Sequence, residues 1–317
     1  MNGYYIGIDV GGTKCAATLG KIFDGEIEIC EKEKFATDNL PPEIILERFS
    51  AFIKSRLHYS VKGIGISCGG PLDSVGGVIM RPPSLPLWDG VNVVNYFQTK
   101  FGIKTYLQND ANACAVAEYK FGAGKGSRNA IFLTFGTGLG AGLILNGKLY
   151  SGTNDNAGEI GHVRLTRGGP IGYRKSGSCE GYCSGSGIAR LAKIYAEKQN
   201  LKVYYEEFLS SYGKVEISAK TLAEGARGGN RFCKAVYDKS GEMLGRTLSV
   251  LTDILNPEKI IIGGVFMRAQ DLLRPKMEKV MKRECLSYSL SALSVVAAGL
   301  NEKVGDYAAL SIAQGNF

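Results

Sequence analysis

The chain has 317 residues, enough for two domains of ordinary size that each bury a core of their own. Its apolar fraction of 44% is typical of a globular protein, and no apolar run reaches the roughly 18 residues of a membrane helix, so we expect no membrane partner. The 38 basic and 30 acidic residues leave a net charge of +8, but Lys and Arg are scattered, so we expect no nucleic-acid partner.

The N-terminus and the cysteines bear on the compartment. The chain reaches Asp9 before a basic segment or a signal-like apolar run has formed, which predicts a cytoplasmic protein. The eight cysteines are dispersed along a chain too long to need disulfides, so we expect reduced thiols that mostly fill the core.

The first predicted element is a β-hairpin. Residues 5–10 alternate small and apolar side chains, Gly11-Gly12 interrupt them, and residues 15–19 form a second strand before Gly20. A similar hairpin is predicted more than one hundred residues later, around the glycine-rich break at residues 136–140. Two copies of one unit indicate two halves built on the same plan.

Helices and strands alternate in the rest of the chain. A helix is predicted after Pro41-Pro42, with an apolar face of Ile45, Phe49, Phe52, Ile53 and Leu57. A buried strand follows at residues 63–67. A later helix has an apolar face of Leu244, Leu248, Leu251 and Leu255 and is ended by Pro257. A strand at residues 260–262 then runs into a glycine turn, and this alternation predicts an α/β fold.

The glycine turns carry chemistry because backbone N–H groups without neighbouring Cβ atoms can approach a phosphate closely. A dinucleotide fingerprint requires a helix directly after the glycines, whereas here a second strand follows each turn. A Walker loop is excluded because no Gly-x-x-x-x-Gly-Lys-Ser/Thr is present.

Six segments in order resemble the ROK family of sugar kinases and repressors, nearly from end to end. They are Asp9-Val10-Gly11-Gly12-Thr13-Lys14, Pro82-Pro83-Ser84-Leu85-Pro86-Leu87-Trp88, Asn109-Asp110-Ala111-Asn112-Ala113, Gly136-Thr137-Gly138-Leu139-Gly140, Gly158-Glu159-Ile160-Gly161-His162, and Asn256-Pro257-Glu258 with Gly263-Gly264. A late Gly305-Asp306-Tyr307-Ala308-Ala309 segment adds to them.

The resemblance implies an α/β fold of the actin-like ATPase (ribonuclease H-like) class, with two α/β domains and a duplicated core around a cleft. The N-terminal domain is expected at residues 1–118, completed by a C-terminal helix at 303–317. The larger domain is expected at 119–302, with the second phosphate loop and the sugar and adenosine sites. The family's repressors carry a helix-turn-helix ahead of the first loop, for which we expect no room because that loop begins within ten residues of Met1.

On the nucleotide side, the resemblance implies ATP and Mg²⁺, with Mg²⁺ near Asp9. The residues expected to bind them are Asp9, Gly11, Gly12, Thr13, Lys14, Gly136, Thr137, Gly138, Gly263 and Gly264. From the residues alone, Asp9 is equally a turn acid, either threonine a good strand residue, and Lys14 a solvated surface cation.

For catalysis, the resemblance assigns the base to Asp110. A carboxylate within hydrogen-bond reach can accept the proton of a sugar hydroxyl as its bond to phosphorus forms. The alternative from the residues alone is a helix N-cap, because Asn109-Asp110 precede an alanine-rich stretch. For the sugar, the resemblance assigns Asn109, Glu159, His162 and Glu180 as hexose ligands.

One part of the family pattern is missing. Most relatives have a zinc site with three cysteines after the histidine, and alignment on Glu180 places Ile171, Tyr173 and Ser178 at those positions. Cys179 and Cys183 lie nearby at an unfamiliar spacing, so we predict no zinc. The segment 167–178 is then expected to be held by ordinary packing, with Tyr173 and the arginines as candidates.

The resulting hypothesis is an ATP-dependent hexose 6-kinase, glucokinase-like, that forms a homodimer. The alternative substrates are N-acetylmannosamine, N-acetylglucosamine, fructose and allose. Two alternatives of other classes are a non-catalytic sugar sensor and an acetate-kinase-like or chaperone ATPase.

Overall fold

The computed structural model describes residues 2–38, 40–212 and 216–317. Within these residues the chain forms fifteen strands, eleven α-helices and four short 3-10 helices. None of the helices in the described ranges is both long and apolar enough to cross a membrane.

The strands are β1 (Gly3–Val10), β2 (Lys14–Phe23), β3 (Glu26–Ala36), β4 (Ile64–Cys68), β5 (Leu72–Asp73), β6 (Val78–Met80), β7 (Asp89–Asn92), β8 (Thr105–Asn109), β9 (Ala130–Leu133), β10 (Ala141–Leu145), β11 (Lys148–Tyr150), β12 (Ile171–Gly172), β13 (Lys175–Ser176), β14 (Lys259–Ile262) and β15 (Ser294–Ala297). The α-helices are α1 (Pro42–Lys54), α2 (Val93–Phe101), α3 (Asp110–Phe121), α4 (Cys179–Tyr182), α5 (Gly185–Ala196), α6 (Lys202–Tyr212), α7 (Ala219–Arg227), α8 (Arg231–Leu255), α9 (Val265–Glu284), α10 (Ser287–Ala292) and α11 (Val304–Ile312). The 3-10 helices lie at Leu57–Tyr59, Ile160–His162, Gln199–Leu201 and Asn301–Lys303.

Two five-stranded sheets share one strand order. The first runs β3-β2-β1-β4-β8, in which β1 is antiparallel to β2 and parallel to β4, and β4 is parallel to β8. The second runs β11-β10-β9-β14-β15, with an antiparallel β10–β11 pair and a parallel β14–β15 pair. In both, three strands consecutive in sequence are followed by two strands reached through helices, so the prediction of two halves on one plan is confirmed.

By its internal packing the chain divides into two compact units. The first consists of Met1–Phe132, Gly142–Ala157 and Gly299–Phe317, and the second of Leu133–Ala141 and Gly158–Ala298. The domain limits expected at 118/119 and 302/303 remain a prediction.

The first sheet buries both of its faces, as the side-chain alternation of β1 requires. Ile6 and Ile8 pack in a cluster that also contains Phe49 of α1 and Phe97 of α2. Tyr5 belongs to a second cluster, which also holds Leu310 and Ala313 at the C-terminal end of the chain. α11 is therefore part of the core of the first unit.

The predicted helices and strands are present, with one difference in extent. The apolar face expected to reach Leu57 ends earlier, because α1 stops at Lys54 and Ser55 bonds back to the carbonyl of Phe52 at 3.0 Å. Leu57 lies in a 3-10 helix and is 41% exposed. The later helix ends where predicted, since Asn256 takes up a left-handed conformation before Pro257.

All eight cysteines are free thiols, and five of them are buried. The expectation that most of them fill the core agrees with this placement.

Candidate active site

The first glycine turn joins β1 to β2. Asp9 near the end of β1 is half-buried, and Thr13 and Lys14 on the far side of the turn are exposed. Thr37 holds the turn, because its hydroxyl donates to the carbonyl of Gly11 at 2.6 Å and its N–H to the carbonyl of Thr13 at 2.9 Å. The turn carbonyls are thus fixed from one side.

Gly12 is required by packing. A Cβ built at this position would lie 2.5 Å from the carbonyl oxygen of Ser84 and 2.6 Å from its Cβ. Ser84 belongs to the segment at residues 82–88, one of the segments that carries the family resemblance. The backbone of the first turn therefore rests directly on that segment.

The junction of β8 and α3 shows which residue caps the helix, a role that the sequence left open between Asn109 and Asp110. Asn109 is the N-cap, and its Oδ1 accepts the N–H of Ala111 at 2.9 Å. Asp110 is the first helical residue, its Oδ1 accepts the same N–H at 2.7 Å, and its side chain is exposed. Asn109 is therefore the N-cap, and Asp110 binds the same N–H through Oδ1, which leaves its second carboxylate oxygen for another role.

The charge of Asp110 raises the cost of ionising Asp9. The pKa of Asp9 is raised to about 6, mainly by burial and then by the negative charges of Asp110 and Asp306, while Lys32 lowers it. Lys32 forms an ion pair with Asp306. The side chain of Asp110 is exposed to solvent, but many protein atoms surround its carboxyl group. This burial raises the pKa of Asp110 more than the hydrogen bond from the N–H of Ala111 lowers it. Two carboxylates that resist ionisation together are typical of a functional site.

This arrangement predicts a pH-dependent gain in stability for Asp9→Asn. The pKa of about 6 lies above the ordinary 3.8, so the folded protein binds the proton more tightly than the unfolded chain, and ionised Asp9 costs stability as the pH rises. Asp9→Asn removes that cost and should melt at a higher temperature than the parent at pH 8. The gain should shrink as the pH falls through 6 and vanish below about pH 4.

Differential scanning calorimetry across this pH range measures the effect. Asp24→Asn, at the exposed β2–β3 turn, is the matched control and should show no such trend. Equal melting temperatures of Asp9→Asn and parent at every pH would contradict the electrostatic assignment.

The second glycine turn lies between β9 and β10. Thr134 brackets it, since its N–H donates to the carbonyl of Gly140 at 3.0 Å and its Oγ1 accepts the N–H of Gly140 at 2.9 Å. The N–H of Gly136 donates to the carbonyl of Gly138 at 2.9 Å. The hydroxyl of Ser186 on α5 donates to the carbonyl of Thr137 at 2.7 Å. As in the first turn, the carbonyls are engaged by the protein.

Gly263 and Gly264 link β14 to α9 next to this turn. The N–H of Gly263 donates to the carbonyl of Leu133 at 2.9 Å. Gly264 has a φ of 61°, and a Cβ built on it would overlap the carbonyl oxygen of Phe135. Gly264 is therefore required by the fold itself.

Gly136 differs from Gly264, and the difference is testable. The nearest atom to a Cβ built at Gly136 is the carbonyl oxygen of Thr134, 3.9 Å away, so Gly136→Ala should melt within a degree or two of the parent. If the turn binds phosphate, the added methyl group obstructs it, and the KM for ATP should rise. Gly264→Ala should instead lose several kcal/mol of stability.

Thermal unfolding and steady-state kinetics on the two variants separate these effects. An unchanged KM for ATP in a well-folded Gly136→Ala protein would contradict a phosphate-binding role for this turn.

A cavity of about 810 Å³ opens beside the second turn, within the second unit. It is lined by Gly136, Thr137, Gly185, Ser186, Ala189, Arg190, Lys193, Glu216, Ile217, Ser218, Ala219, Lys220, Val265 and Arg268. The first turns of α5, α7 and α9 all contribute to this lining, and helix N-termini favour anions. Four basic residues against one acid add to that preference.

This cavity was not predicted from the sequence, although the adenosine site was expected in the larger domain. Its basic residues come from three separate helices, α5, α7 and α9. The available signals were the N-cap serines Ser184 and Ser218, each of which accepts a backbone N–H three residues later. These serines indicate where helices begin, but they do not show that the first turns of three helices line one cavity.

Glu159, His162 and Glu180 belong to the second unit, in which the 3-10 helix Ile160–His162 packs against α4. Glu159 precedes the 3-10 helix Ile160–His162, and both Glu159 and His162 are exposed. Glu180, on α4, accepts the N–H of Leu139 at 3.2 Å through one carboxylate oxygen. This bond attaches Glu180 to the second glycine turn.

The segment expected to lack zinc is held by backbone and serine hydrogen bonds. The carbonyl of Gly177 accepts the N–H of Leu165 at 2.8 Å, and its N–H donates to Pro170 at 3.0 Å. Ser178 caps α4 by accepting the N–H of Gly181 at 3.2 Å. Tyr173, Arg167 and Arg174 are exposed, and Tyr173 packs against His162, so the expectation that Tyr173 and the arginines hold this segment remains a prediction.

The two nearby cysteines face the core. Cys179 Sγ lies 3.3 Å from the hydroxyl of Thr247 and Cys183 Sγ 3.8 Å from the carbonyl of Ser240, both on α8. Burial raises the pKa of Cys179 to about 11, which disfavours the thiolate that zinc requires. In the described part of the chain, no group of three or more His, Cys, Asp or Glu residues is placed to hold a metal ion.

The expected site residues fall into two sets. The first unit contains Asp9, Gly11, Gly12, Thr13, Lys14, Asn109 and Asp110. The second contains Gly136, Thr137, Gly138, Glu159, His162, Glu180, Gly263 and Gly264. The first set thus holds Asp9 and Asp110, and the second holds the expected sugar ligands other than Asn109.

Comparison with known proteins gives consistent matches over nearly the full length. The family model described as the ROK family matches residues 5–316. The glucokinase of Streptomyces coelicolor is 31% identical, with 98% of this chain and 98% of that protein covered. The glucokinase of Thermotoga maritima is 31% identical, with 97% and 96% covered. A similar solved structure is that of a ROK family glucokinase from Streptomyces griseus in complex with glucose and AMPPNP. Its TM-score is 0.78 and its sequence identity 29%, with 99% of this chain and 100% of that chain covered.

Proposed function

Since the chain belongs to the ROK family, we propose that it is an ATP-dependent kinase that phosphorylates the 6-hydroxyl of a hexose, with glucose as the first candidate. It has the actin-like ATPase fold, and its two sheets of equal strand order are the duplicated core. The full-length similarity to glucokinases supports the activity.

The observation that carries the proposal is the division of roles at the start of α3. Asn109 caps the helix, and Asp110 presents an exposed carboxylate whose pKa is raised by burial. A raised pKa makes the carboxylate a better proton acceptor. As the sugar oxygen bonds to the terminal phosphorus, its proton passes to Asp110, and the bond from that phosphorus to the ADP oxygen breaks.

For the nucleotide, the proposal assigns phosphate binding to the two glycine turns, with Thr13, Thr137 and Lys14 as further donors. The carbonyls of Gly11 and Thr137 are engaged by Thr37 and Ser186, which supports phosphate binding by N–H groups of the turns. The N–H of Gly136 is not one of these groups, because it bonds to the carbonyl of Gly138. The cavity beside α5, α7 and α9 is proposed to hold the adenosine end.

Asp9 fits a Mg²⁺ ion that arrives with ATP. Carboxylate oxygens are ligands that Mg²⁺ prefers. Burial and, to a smaller extent, the negative charges of Asp110 and Asp306 raise the pKa of Asp9, and a cation would relieve that charge. When bound, Mg²⁺ neutralises charge on the phosphates.

For the sugar, the proposal assigns Asn109, Glu159, His162 and Glu180 as ligands. Capping occupies Oδ1 of Asn109, so its Nδ2 is the group left to donate to a hydroxyl. Glu180 has one carboxylate oxygen on Leu139 and a second to accept from the sugar. No zinc is proposed, and metal analysis that finds about one zinc per washed chain would overturn this.

We place the protein in the cytoplasm, without a nucleic-acid partner, and as a homodimer. Support for a dimer comes from exposed apolar residues where α10 meets α8, of which Ile254 is 72% and Tyr288 88% exposed. The N–H of Leu286 on this surface donates to Asp253 at 3.2 Å. Sedimentation velocity at several concentrations tests the dimer.

An ADP-release screen with ATP, Mg²⁺ and a panel of sugars tests the function. The panel contains glucose, N-acetylmannosamine, N-acetylglucosamine, fructose and allose. We expect sugar-dependent ADP release with at least one of them. Sugar binding without ADP release would favour the sensor alternative, and sugar-independent ATP hydrolysis would favour another ATPase of this fold.

A further inference from the structure

A small hairpin, β12–β13, lies beside the proposed sugar ligands of the second unit. Ile171 pairs with Ser176 and Gly172 with Lys175, so Tyr173 and Arg174 form a two-residue turn. Their φ angles are 42° and 63°, both left-handed. This is the pattern of a type I′ turn, for which Asn-Gly is the favoured sequence.

Two bulky residues in this turn carry a conformational cost. For residues other than Gly, Asn and Asp, the left-handed region is energetically unfavourable because Cβ lies too close to the following carbonyl oxygen. Backbone strain that the fold maintains is a reason to ask what the side chains do.

Tyr173 and Lys175 both contact His162. The ring centroids of Tyr173 and His162 lie 5.9 Å apart at an interplanar angle of 76°, which is edge-to-face packing. Lys175 Nζ donates to the backbone carbonyl of His162 at 2.8 Å. The hairpin thus contacts both the side chain and the backbone of His162.

The base of the hairpin is fixed against the helix that carries Glu180. A Cβ built at Gly172 would lie 2.5 Å from the N–H nitrogen of Gly181 and 2.8 Å from Cβ of Glu180. The hydroxyl of Ser178 donates to the carbonyl of Gly172 at 3.2 Å. The hairpin and α4 therefore form one packed structure that joins Glu180 to His162.

We propose that Tyr173 is a positioning residue that orients the imidazole of His162 toward the hexose, which makes this hairpin a determinant of sugar specificity. The inference rests on the proposed function, in which His162 is a sugar ligand. Tyr173 is 62% exposed, so its ring has little role in the core, and its described ring contact is with His162. The packing of Gly172 at the base of the hairpin against α4 fixes the position of the Tyr173 ring.

Tyr173→Asn is the decisive variant, because Asn accepts the left-handed conformation and folding should not suffer. We expect the KM for the hexose to rise roughly three- to tenfold. The kcat and the KM for ATP should stay within about twofold, since Tyr173 orients a sugar ligand only. Tyr173→Phe keeps the ring and should behave like the parent.

A second readout does not need activity. The chain has two histidines, His58 and His162, so their ring protons can be assigned by NMR with a His58→Gln variant. Tyr173→Asn should move the His162 signals and leave those of His58. Tyr59 lies 4.2 Å from the ring of His58, so Tyr59→Leu is the reciprocal control and should move only His58.

Failure of this inference can be distinguished from failure of the proposed function. If the parent phosphorylates a hexose but Tyr173→Asn has its KM unchanged, the inference is overturned and the function stands. Unmoved His162 signals in Tyr173→Asn, or a KM for Tyr173→Phe as high as that for Tyr173→Asn, would also overturn it. If no hexose is phosphorylated, the function fails and the NMR result decides whether Tyr173 orients His162.

Discussion

Replacing Asp110 by Asn is expected to lower kcat by about 10²- to 10⁴-fold while the hexose still binds. An amide accepts no proton at neutral pH, so the sugar hydroxyl loses its acceptor as it bonds to phosphorus. Because Asn109 supplies the cap of α3, the substitution leaves the helix start intact. Removing a carboxylate whose pKa is raised by burial should not lower the melting temperature.

Single-turnover kinetics and calorimetric titration with the hexose separate chemistry from binding. Asp24→Asn is a matched control at an exposed turn and should keep parental kcat. A kcat for Asp110→Asn within a few-fold of the parent would show that another group accepts the proton.

Replacing Glu118 by Ala is expected to give the largest loss of stability, on the order of 3–5 kcal/mol. Glu118 on α3 is fully buried, and its carboxylate accepts the N–H groups of Ala123 at 2.8 Å, Gly299 at 3.1 Å and Leu300 at 2.9 Å. It therefore joins the end of α3 to the segment ahead of α11. Alanine leaves these three N–H groups, which bond to Glu118 at part-buried positions, without this acceptor.

Urea unfolding, followed by far-UV circular dichroism, measures the loss. Glu118→Gln keeps one acceptor oxygen and should lie between Ala and the parent. Glu224→Ala, at an exposed site on α7, should change stability by less than about 0.5 kcal/mol. A Glu118→Ala protein as stable as the parent would mean that other groups or water satisfy these N–H groups.

The regular elements were predictable because their side chains repeat with the period of the structure. The apolar side chains of β1 reflect a strand buried on both faces, and Leu244, Leu248 and Leu251 of α8 reflect one buried stripe. Leu57 had the spacing of α1 but lies beyond the turn at Ser55, where hydrogen bonds of the Ser55 side chain compete with the helix.

Contacts between distant parts of the chain were not predictable. Glu118 carries no signal in sequence, because its partners at 299 and 300 lie about 180 residues away. The contact of Gly12 with Ser84 is hidden for the same reason. The glycine turns could be predicted from the local sequence. Which of their glycines are required for packing is seen only in the folded structure.

The roles of Asn109 and Asp110 and the structure of the segment 167–178 also could not be predicted from the sequence alone. From the residues alone, Asp110 was either a cap or a base, and the hydrogen bond from Ala111 to Asn109 assigns the cap to its neighbour. The missing cysteines showed that a zinc site was absent from the pattern. They gave no indication that a strained turn would place Tyr173 against His162.

The most direct test of the central claim is to identify the product. The parent protein is incubated with ATP, Mg²⁺ and the best hexose of the screen, and the sugar is examined by ³¹P and ¹H NMR. We predict equal amounts of ADP and a hexose phosphate esterified at the 6-hydroxyl, and no ester from Asp110→Asn. ADP formation without a sugar phosphate, or an ester at another hydroxyl, would contradict the assignment.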